Sequence, residues 1–471
     1  MTSSSEEIKK ETPDKGVKRA GWSGKAAFVL AGAASAVGLG NIWRFPYLAA
    51  KYGGGTFLIV YLCLLFTFGI SLLLLETALG RKTGKSAIGA FKEYGKKYAI
   101  IGVLASSIPF IITCYYTVIG GWVTKYAATY ILGGATDIAA DPATFFTSFI
   151  TSPVDSFGWA YVFAAITIIV VAMGVEKGIE KSNMFMMPLL IVIAVGIAIF
   201  TLAQPGAAEG AAYYLVPDVS KISPELLIAA LGQMFYSMSL AMGIMITYGS
   251  YAKKDSSLTA STGQIAGFDF GISFIAGLMI IPAAFVALGG GDAIAAKAGP
   301  SLMFITLPTV FAQMGDIGQV IGGAFFVLVL FAALTSAISL TETLVSIVMD
   351  GFKCSRQKAL MWVVVYFVVM VGIVNLGYNK LAFIEPLGEG STILDFLDFL
   401  SNSVMMPIVA ILTCIFVGWI IKPKEIIDEV KISSKFGLAK AWTVMIKYIA
   451  PVLIFVILVS YVAMQFGFIS I

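Results

Sequence analysis

The chain contains no histidine among its 471 residues, and this absence excludes several kinds of chemistry. Histidine is the commonest metal ligand in proteins and the side chain that most readily carries protons near neutral pH. The patterns Gly-x-Ser-x-Gly and His-Glu-x-x-His, typical of serine hydrolases and zinc proteases, are missing as well. The sequence therefore argues against a metal-dependent or hydrolytic enzyme.

Charge is also scarce. Charged residues make up only 12% of the chain, about half the share found in a soluble protein. Hydrophobic residues make up 59%, and the mean hydropathy is +0.92. The net charge of +4 gives no indication of nucleic-acid binding. No disulfide framework is expected, because none of the four cysteines falls in a predicted external loop: Cys63, Cys114, Cys354 and Cys414.

Long hydrophobic runs dominate the sequence. Eleven of them have about 20 residues or more, the length that an α-helix needs to cross a bilayer. We number these predicted spans 1 to 11; they cover residues 24–48, 55–80, 98–130, 157–175, 180–201, 224–250, 262–289, 317–350, 357–376, 391–420 and 442–467. Because lipid cannot satisfy exposed backbone groups, these spans predict an all-α membrane protein.

The basic residues gather on one side of the predicted membrane, in particular within residues 9–25, 81–97 and 422–440. By the positive-inside rule this side is cytoplasmic. We therefore expect a multi-pass protein of the cell membrane with a cytoplasmic N-terminus and, after an odd number of spans, an extracellular C-terminus. Residues 1–20 are polar and lack the pattern of a signal peptide, so they are expected to form a cytoplasmic tail.

Two spans carry breaks in matching places. Span 1 has a glycine-rich stretch at 35–40, and span 6 has a small-polar stretch at 237–243. At membrane depth a broken backbone survives only where it is buried in protein or lines a wet cavity. Breaks five spans apart predict an inverted internal repeat with a solute site at the midplane. A simpler interpretation, small residues that let helices pack closely, stays open at this point.

The motifs around these breaks resemble those of a known family. They include Val37-Gly38-Leu39-Gly40-Asn41 with Arg44-Phe45-Pro46, Gly53-Gly54-Gly55, Glu76 with Gly80-Arg81, Tyr115-Tyr116, Ala298-Gly299 with Phe304-Ile305-Thr306-Leu307-Pro308, and Ala332-Ala333-Leu334-Thr335-Ser336. Through them the chain resembles the neurotransmitter:sodium symporters, in particular bacterial amino-acid transporters such as the leucine transporter. The likeness covers nearly the whole chain.

This resemblance implies the leucine-transporter fold, a 5+5 inverted repeat with broken helices 1 and 6 and eleven transmembrane helices. Residues 21–421 would form the transport core, and residues 422–471 a cytoplasmic linker with the eleventh helix. The sequence departs from the family pattern in two ways. It shows eleven spans where many relatives have twelve, and Asp269 and Ser273 stand where the leucine transporter has an asparagine and a glutamate.

The resemblance also implies two sodium sites built from the oxygen ligands that hard cations prefer. The first would combine the substrate carboxylate with the Ala36 carbonyl and the side chains of Asn41, Ser237 and Asp269. The second would combine the carbonyls of Ala34, Val37 and Ala332 with the hydroxyls of Thr335 and Ser336. Since some relatives need chloride where such a carboxylate is lacking, Asp269 predicts chloride-independent transport.

Asp269 stands out even without the resemblance, because it is an acid inside an otherwise apolar run. Such acids are costly in a membrane and usually functional. On the residues alone, Asp269 could instead be solvated near the cytoplasmic end of span 7. Thr335 and Ser336 could likewise bond to the carbonyls of their own helix.

The substrate site implied by the resemblance has eleven residues: Ala36, Leu39, Gly40, Ile112, Tyr116, Tyr236, Ser237, Ser239, Met242, Ser336 and Leu340. Gly38 stands where monoamine carriers of the family have an aspartate, so the substrate must bring its own carboxylate. The implied ligand is therefore an α-amino acid. The mainly apolar lining favours a hydrophobic or aromatic side chain, although Ile112 and Leu340 taken alone are typical of ordinary helix packing.

Two gates complete the implied machinery. The outer gate would use Arg44, Asp398 and Gln233 above a Tyr116–Tyr236 lid, unless Arg44 only extends to the lipid headgroups. The inner gate would use Arg19, Trp22, Ser250, Tyr251 and Asp350. Gly178 and Pro188, both of which weaken a helix, match a family motif linked to unwinding of span 5.

These expectations describe a symporter that imports an α-amino acid with two sodium ions, by alternating access across a lipid bilayer. No part of the sequence points to an oligomeric state. Two alternatives stay open: a non-transporting amino-acid sensor on the same fold, and a carrier that couples to protons through Asp269.

Overall fold

The computed structural model describes residues 21–290, 301–466 and 468, and within these ranges the regular structure is helical, with no strand. Nine of the predicted spans are single helices there. Their bounds are Gly55–Thr83 (span 2), Lys96–Ile131 (span 3), Pro153–Ala172 (span 4), Val175–Leu202 (span 5), Leu258–Leu288 (span 7), Gly315–Phe352 (span 8), Arg356–Leu376 (span 9), Ile393–Ile420 (span 10) and Ala439–Gln465 (span 11).

The other two spans are broken. Span 1 consists of Lys25–Ala36 and Gly40–Lys51, two helices that meet at an angle of 54°. Span 6 consists of Pro224–Ser237 and Ile244–Ser250, and neither piece is long enough to cross a bilayer. Helices of membrane-spanning length therefore number nine in the described ranges, or ten with span 1, so the total of eleven stays a prediction.

Shorter helices connect the spans. They are Ala87–Lys92, Ala135–Ala140, Pro142–Thr151, Ala207–Leu215, Leu302–Gln313 and Lys424–Lys431. The predicted tail, residues 1–20, lies outside the described residues. Helix Lys424–Lys431 lies in the predicted linker between spans 10 and 11. The domain boundaries at 21 and 422 stay predictions.

Span 1 breaks because its backbone leaves the helical conformation after Ala36. Val37 has an extended conformation with φ −77° and ψ 106°, and helical turns resume at Gly40 as a π-helical turn. The peptide groups in between no longer complete the regular i→i−4 ladder. Such groups must find partners in side chains, in ions or in a solute.

Span 6 breaks more sharply. Ser239 and Ala241 adopt φ values of 54° and 61°, a left-handed conformation that is unfavourable for residues with a Cβ. The buried side chain of Glu76 in span 2 stabilises this turn, because its Oε1 accepts a hydrogen bond of 2.7 Å from the Ala241 amide. Glu76, which belongs to one of the motifs named above, thus stabilises the break of span 6 from span 2.

The two breaks face each other in the middle of the protein. The Ser239 hydroxyl donates to the Ser35 carbonyl at 3.0 Å, and the Ser35 and Ser239 hydroxyls lie 3.2 Å apart. Spans 3 and 8 close the sides of this region with Tyr116 and Ser336. The two breaks therefore meet at one central point of the fold.

Candidate functional site

A small cavity lies between the two breaks. Its volume is about 30 Å³. All eleven predicted substrate-site residues line it, together with Ser35, Gly38 and Ile244. The structure thus brings the whole predicted set to one place, while the role of each residue in binding stays a prediction.

One end of the cavity is polar. The hydroxyl of Tyr116 is buried there and has no hydrogen-bond partner in the described part of the chain. A Cβ at Gly38 would lie only 2.5 Å from Ser336 Oγ and 3.2 Å from the Tyr116 hydroxyl. Because residue 38 is glycine, it places no acidic side chain at this end.

The opposite end is apolar. Ile112, Met242 and Leu340 form its walls, and Ile244 extends the apolar lining beyond the predicted set. The ring of Tyr236 packs on the broken backbone of span 1, where a Cβ at Gly40 would lie 2.7 Å from a ring carbon. The cavity therefore has the character of a site for a small molecule with one charged end and one apolar end.

A cluster of polar side chains adjoins the cavity, and we call Asn41, Tyr61, Ser237, Asp269 and Ser273 the first cluster. The Asn41 amide nitrogen lies 2.8 Å from Asp269 Oδ1, 3.0 Å from Ser237 Oγ and 2.8 Å from Ser273 Oγ. Ser237 donates to the same carboxylate, and the Tyr61 hydroxyl donates to Asp269 Oδ2 at 2.8 Å. Three of the four residues predicted for the first sodium site thus lie within hydrogen-bond distance of one another, and Ala36 lines the adjoining cavity.

Asp269 gives this cluster its electrostatic character. Its side chain is fully buried, and no basic side chain of the described residues forms an ion pair with it. An ionised carboxylate in this position is stable only if a cation accompanies it. The structure therefore excludes the alternative that Asp269 is solvated at the end of span 7.

A second polar cluster lies where span 8 meets the break of span 1, and we call Val37, Ala332, Thr335 and Ser336 the second cluster. The Thr335 hydroxyl lies 3.4 Å from the Val37 carbonyl and 3.0 Å from the Ala332 carbonyl. The Ser336 hydroxyl lies 3.3 Å from the carbonyls of both Ser35 and Val37. These hydroxyls face another span as well as their own helix. Ala34, the fifth predicted ligand, is buried in the preceding turn of span 1.

Both clusters are built mainly from uncharged oxygen and amide groups. No group of three or more Asp, Glu or Cys side chains that could hold a metal ion occurs within the described ranges. Neutral hydroxyl, amide and carbonyl oxygens predominate instead. Such ligands bind hard cations of low charge.

Comparison with known proteins agrees with this geometry. The model of a family described as the sodium:neurotransmitter symporter family matches residues 19–133 and 154–467. The chain belongs to this family. The symporter is 34% identical to the uncharacterized sodium-dependent transporter YhdH of Bacillus subtilis over 445 residues, covering 93% of this chain and 97% of the relative.

Two further comparisons place the symporter within the family. It is 26% identical over 474 residues to the human sodium- and chloride-dependent GABA transporter 2, covering 90% of this chain and 77% of the relative. It matches a crystal structure of MhsT in complex with L-phenylalanine with a TM-score of 0.83 and 36% identity, covering 94% of this chain and all of MhsT. The predicted family and all-α transporter fold are confirmed: this is a sodium-dependent, multi-pass membrane transporter and not an enzyme.

The symporter's predicted outer gate is only partly assembled. No ion pair joins Arg44 and Asp398 as the structure describes them. The Arg44 guanidinium carbon instead lies 5.4 Å from the centre of the Tyr236 ring, and Asp398 accepts a hydrogen bond of 2.6 Å from Asn402. Gln233 donates to the Gly40 carbonyl at 2.8 Å. Arg44 and Asp398 thus form no direct ion pair in the described structure, and their role as a gate stays a prediction.

Trp22, a residue of the predicted inner gate, packs against the end of span 6. Its indole nitrogen donates to the Tyr248 carbonyl at 3.0 Å, and its ring packs edge-on against Tyr248 and Tyr251. The Tyr251 hydroxyl donates to Glu342, and Asp350 accepts from the Ser86 amide at 2.7 Å. The Ser250 hydroxyl bonds within its own turn to Thr247. Arg19, the remaining predicted member, lies outside the described residues.

Tyr61 and Glu76 are the main additions that the structure makes to the predicted site. Tyr61 bonds to the carboxylate of Asp269, and Glu76 bonds to the break of span 6. The Glu76 motif contributed to the family resemblance, but nothing in the sequence linked this residue to residues 238–243. Tyr61 lies in a long apolar span and carries no sequence signal that separates it from ordinary packing.

Proposed function

We propose that this symporter imports an α-amino acid with a hydrophobic or aromatic side chain, coupled to two sodium ions and without chloride. The observation that carries the proposal is the cavity between the two breaks, polar at one end and apolar at the other, with a cation-type cluster on each side. MhsT, which is similar over almost the whole chain, was crystallised with L-phenylalanine.

The substrate carboxylate would lie at the polar end. The backbone N–H groups of Leu39 and Gly40 begin the second half of span 1, and the start of a helix favours a negative charge. The unpaired hydroxyl of Tyr116 supplies a further donor. Gly38 supports this assignment, because it supplies no protein carboxylate that would compete with that of the substrate.

The substrate ammonium would lie on the side of span 6. The carbonyls of Ala36, Tyr236 and Ser237 and the hydroxyl of Ser239 are the acceptors proposed for it. The side chain of the substrate would enter the apolar end of the cavity beside Met242 and Ile112, beneath Tyr236. Methionine adapts to different shapes, so several hydrophobic side chains would fit this end.

The first sodium ion would bind at the first cluster. The carboxylate of Asp269 would balance the ion's charge, and Tyr61 and Ser237 would orient that carboxylate. Because the negative charge is part of the protein, no chloride ion is needed beside the sodium. In this respect the proposal separates the chain from the sodium- and chloride-dependent GABA transporter.

The second sodium ion would bind at the second cluster, between span 1 and span 8. Its proposed ligands are the carbonyls of Ala34, Val37 and Ala332 and the hydroxyls of Thr335 and Ser336. Here the ion would join the break of span 1 to a continuous helix. Binding would thereby favour one arrangement of the two spans over another, which is what coupling requires.

Two sodium ions supply enough energy for concentrative uptake. One charge moving through 100 mV is worth about 2.3 kcal/mol, and a tenfold sodium gradient adds about 1.4 kcal/mol per ion. Two ions with a zwitterionic substrate thus supply roughly 7 kcal/mol, which supports a substrate ratio on the order of 10⁵. One ion would support only several hundred-fold.

Alternating access would use both gates. Arg44, Asp398 and Gln233 with the Tyr116–Tyr236 lid would close the outer side. Trp22, Ser250, Tyr251 and Asp350, together with Arg19, would close the inner side, and the segment from Gly178 to Pro188 would unwind to release sodium. The proposed orientation places the N-terminus in the cytoplasm and the C-terminus outside.

Uptake into proteoliposomes tests the proposal. Purified protein is reconstituted with an inward sodium gradient, and accumulation of radiolabelled phenylalanine is compared in sodium and choline buffers at fixed pH. We expect sodium-driven uptake that persists when gluconate replaces chloride, and competition by hydrophobic amino acids. Equal uptake in choline with an imposed proton gradient would favour coupling to protons through Asp269 instead.

A further inference from the structure

Asn183 in span 5 is an unusual buried residue. It has no exposed surface, and neither its Oδ1 nor its Nδ2 has a hydrogen-bond partner in the described part of the chain. Buried amide groups are nearly always paired, and each exception calls for an explanation. A buried amide without partners destabilises the state that buries it, because its hydration is lost without compensation.

The residue lies midway along a weak stretch of helix. Gly178 and Pro188 stand five residues before and five residues after Asn183. Pro188 has no N–H for the carbonyl of Met184, which weakens the helix one residue after Asn183. Gly178 sits in a π-helical turn where a Cβ would lie 2.0 Å from the Val170 carbonyl. The helix is therefore least stable in the stretch that buries the unpaired amide.

This stretch is also tied to span 1. Both side-chain oxygens of Glu180 accept hydrogen bonds from Ser23, one from its amide at 3.2 Å and one from its hydroxyl. The Ser23 carbonyl in turn accepts a bond of 2.7 Å from Lys253, which follows span 6. Unwinding near residue 180 would consequently loosen the cytoplasmic starts of span 1 and span 5 together.

We propose that Asn183 is a positioning residue for opening on the cytoplasmic side. While span 5 is helical, the amide of Asn183 is buried and unpaired; when residues 178–188 unwind, water hydrates it. The side chain thus disfavours the closed helix and favours the opened one, and it lowers the barrier to release on the inner side. This inference rests on the proposed function, since it assigns Asn183 to one step of that transport cycle.

Hydrogen exchange tests the inference on the full-length protein in lipid nanodiscs. Two variants remove the unpaired amide in different ways: Asn183→Leu replaces it with an apolar side chain of similar size, and Asn183→Ala removes it and leaves the residue with the highest helix propensity. Both are expected to slow exchange of the amides in residues 175–188 by about tenfold and to raise the melting temperature. If Asn183 only contributed to packing, both variants would instead speed exchange in this segment and lower the melting temperature.

Asn375→Leu is the matched control. Asn375 is equally buried and its Nδ2 is also unpaired, but its Oδ1 accepts a hydrogen bond from Ser156 in span 4. Its replacement is expected to lower the melting temperature and to leave exchange at residues 175–188 unchanged. If the two Asn183 variants fold and this segment exchanges as fast as or faster than in the wild type, the inference is wrong.

Transport provides the second readout. We expect Asn183→Leu to reduce the maximal uptake rate about tenfold while the substrate concentration for half-maximal uptake stays the same or falls, since opening and not binding is slowed. An unchanged maximal rate would also overturn the inference. A wild-type protein without sodium-driven uptake would overturn the proposed function alone, because the exchange comparison needs no substrate.

Discussion

The two polar clusters beside the cavity differ in charge. The first contains the buried carboxylate of Asp269, which accepts hydrogen bonds from Asn41, Tyr61 and Ser237. The second contains only neutral hydroxyls and carbonyls, separated by 3.0 to 3.4 Å. Without a cation, the first cluster carries a buried charge or must bind a proton, whereas the second has no charge to balance. We infer that the first cluster sets the strength of sodium binding and that the second adjusts its coupling to span 8.

The largest effect is expected at Asp269. Asp269→Asn removes the only carboxylate of the first cluster, and loss of one member of a buried charge pair costs about 2–5 kcal/mol. Sodium affinity should therefore fall at least about 30-fold, measured as the sodium concentration for half-maximal uptake. Added chloride should restore part of this affinity in the variant and have no effect on the wild type.

Asp316→Asn is the control for this comparison, because Asp316 is an exposed acid in the first turn of span 8. It should leave sodium dependence unchanged. Wild-type uptake that collapses in chloride-free buffer would contradict the role given to Asp269.

Tyr116 belongs to neither cluster and therefore separates substrate binding from ion binding. Tyr116→Phe removes a hydroxyl proposed to bond to the substrate carboxylate, and a hydrogen bond to a charged group contributes about 1.5–3 kcal/mol. Substrate affinity should fall about tenfold or more by direct binding of radiolabelled phenylalanine at saturating sodium. Tyr126→Phe, whose hydroxyl bonds to the Phe304 carbonyl away from the cavity, should bind normally.

A smaller effect is expected at the second cluster. Thr335→Val keeps the shape of the side chain and removes one neutral ligand, which is worth about 1 kcal/mol. We predict an increase of about fivefold in the sodium concentration for half-maximal uptake and a less cooperative sodium dependence. Thr343→Val is a control in the same helix, since the Thr343 hydroxyl bonds only to the Ser339 carbonyl one turn away. Equal losses in the two variants would show that Thr335 does not act as a sodium ligand.

The smallest effect is expected at the outer gate. Asp398 bonds to Asn402 and not to Arg44 in this conformation. A charge pair that forms only in part of the cycle, beside water, contributes about 0.2–1 kcal/mol. Asp398→Asn should therefore change the uptake rate less than about fivefold, measured in the same vesicles. A loss of uptake as large as that of Asp269→Asn would show that the outer gate limits transport at least as strongly as the first cluster.

The broken spans, Asp269 and the cavity residues could be predicted from the sequence. The breaks in spans 1 and 6 were predictable because glycine and small polar residues interrupt apolar runs, and Asp269 because an acid is rare there. Through the family resemblance, the residues of the cavity could be named before their geometry was known. Each of these signals depends on residue type at one place in the chain.

The remaining features depend on contacts between distant spans. Tyr61 meets Asp269 across 208 residues, and Glu76 meets Ala241 across 165. No local pattern predicts such pairs, because an aromatic ring in an apolar span is typical of packing. Helix Leu302–Gln313 is too short to resemble a span. The outer gate of Arg44 and Asp398 stays a prediction, since the two side chains form no direct ion pair in the described structure.

We propose that the two clusters of oxygen atoms bind two sodium ions together with one substrate molecule. Equilibrium dialysis of the purified protein with ²²Na⁺ and saturating phenylalanine measures this number directly. We expect two bound sodium ions per chain in the wild type and one in Asp269→Asn, because the first cluster no longer holds its ion. A single sodium ion per chain, or an unchanged number in Asp269→Asn at sodium concentrations that saturate the wild type, would contradict it.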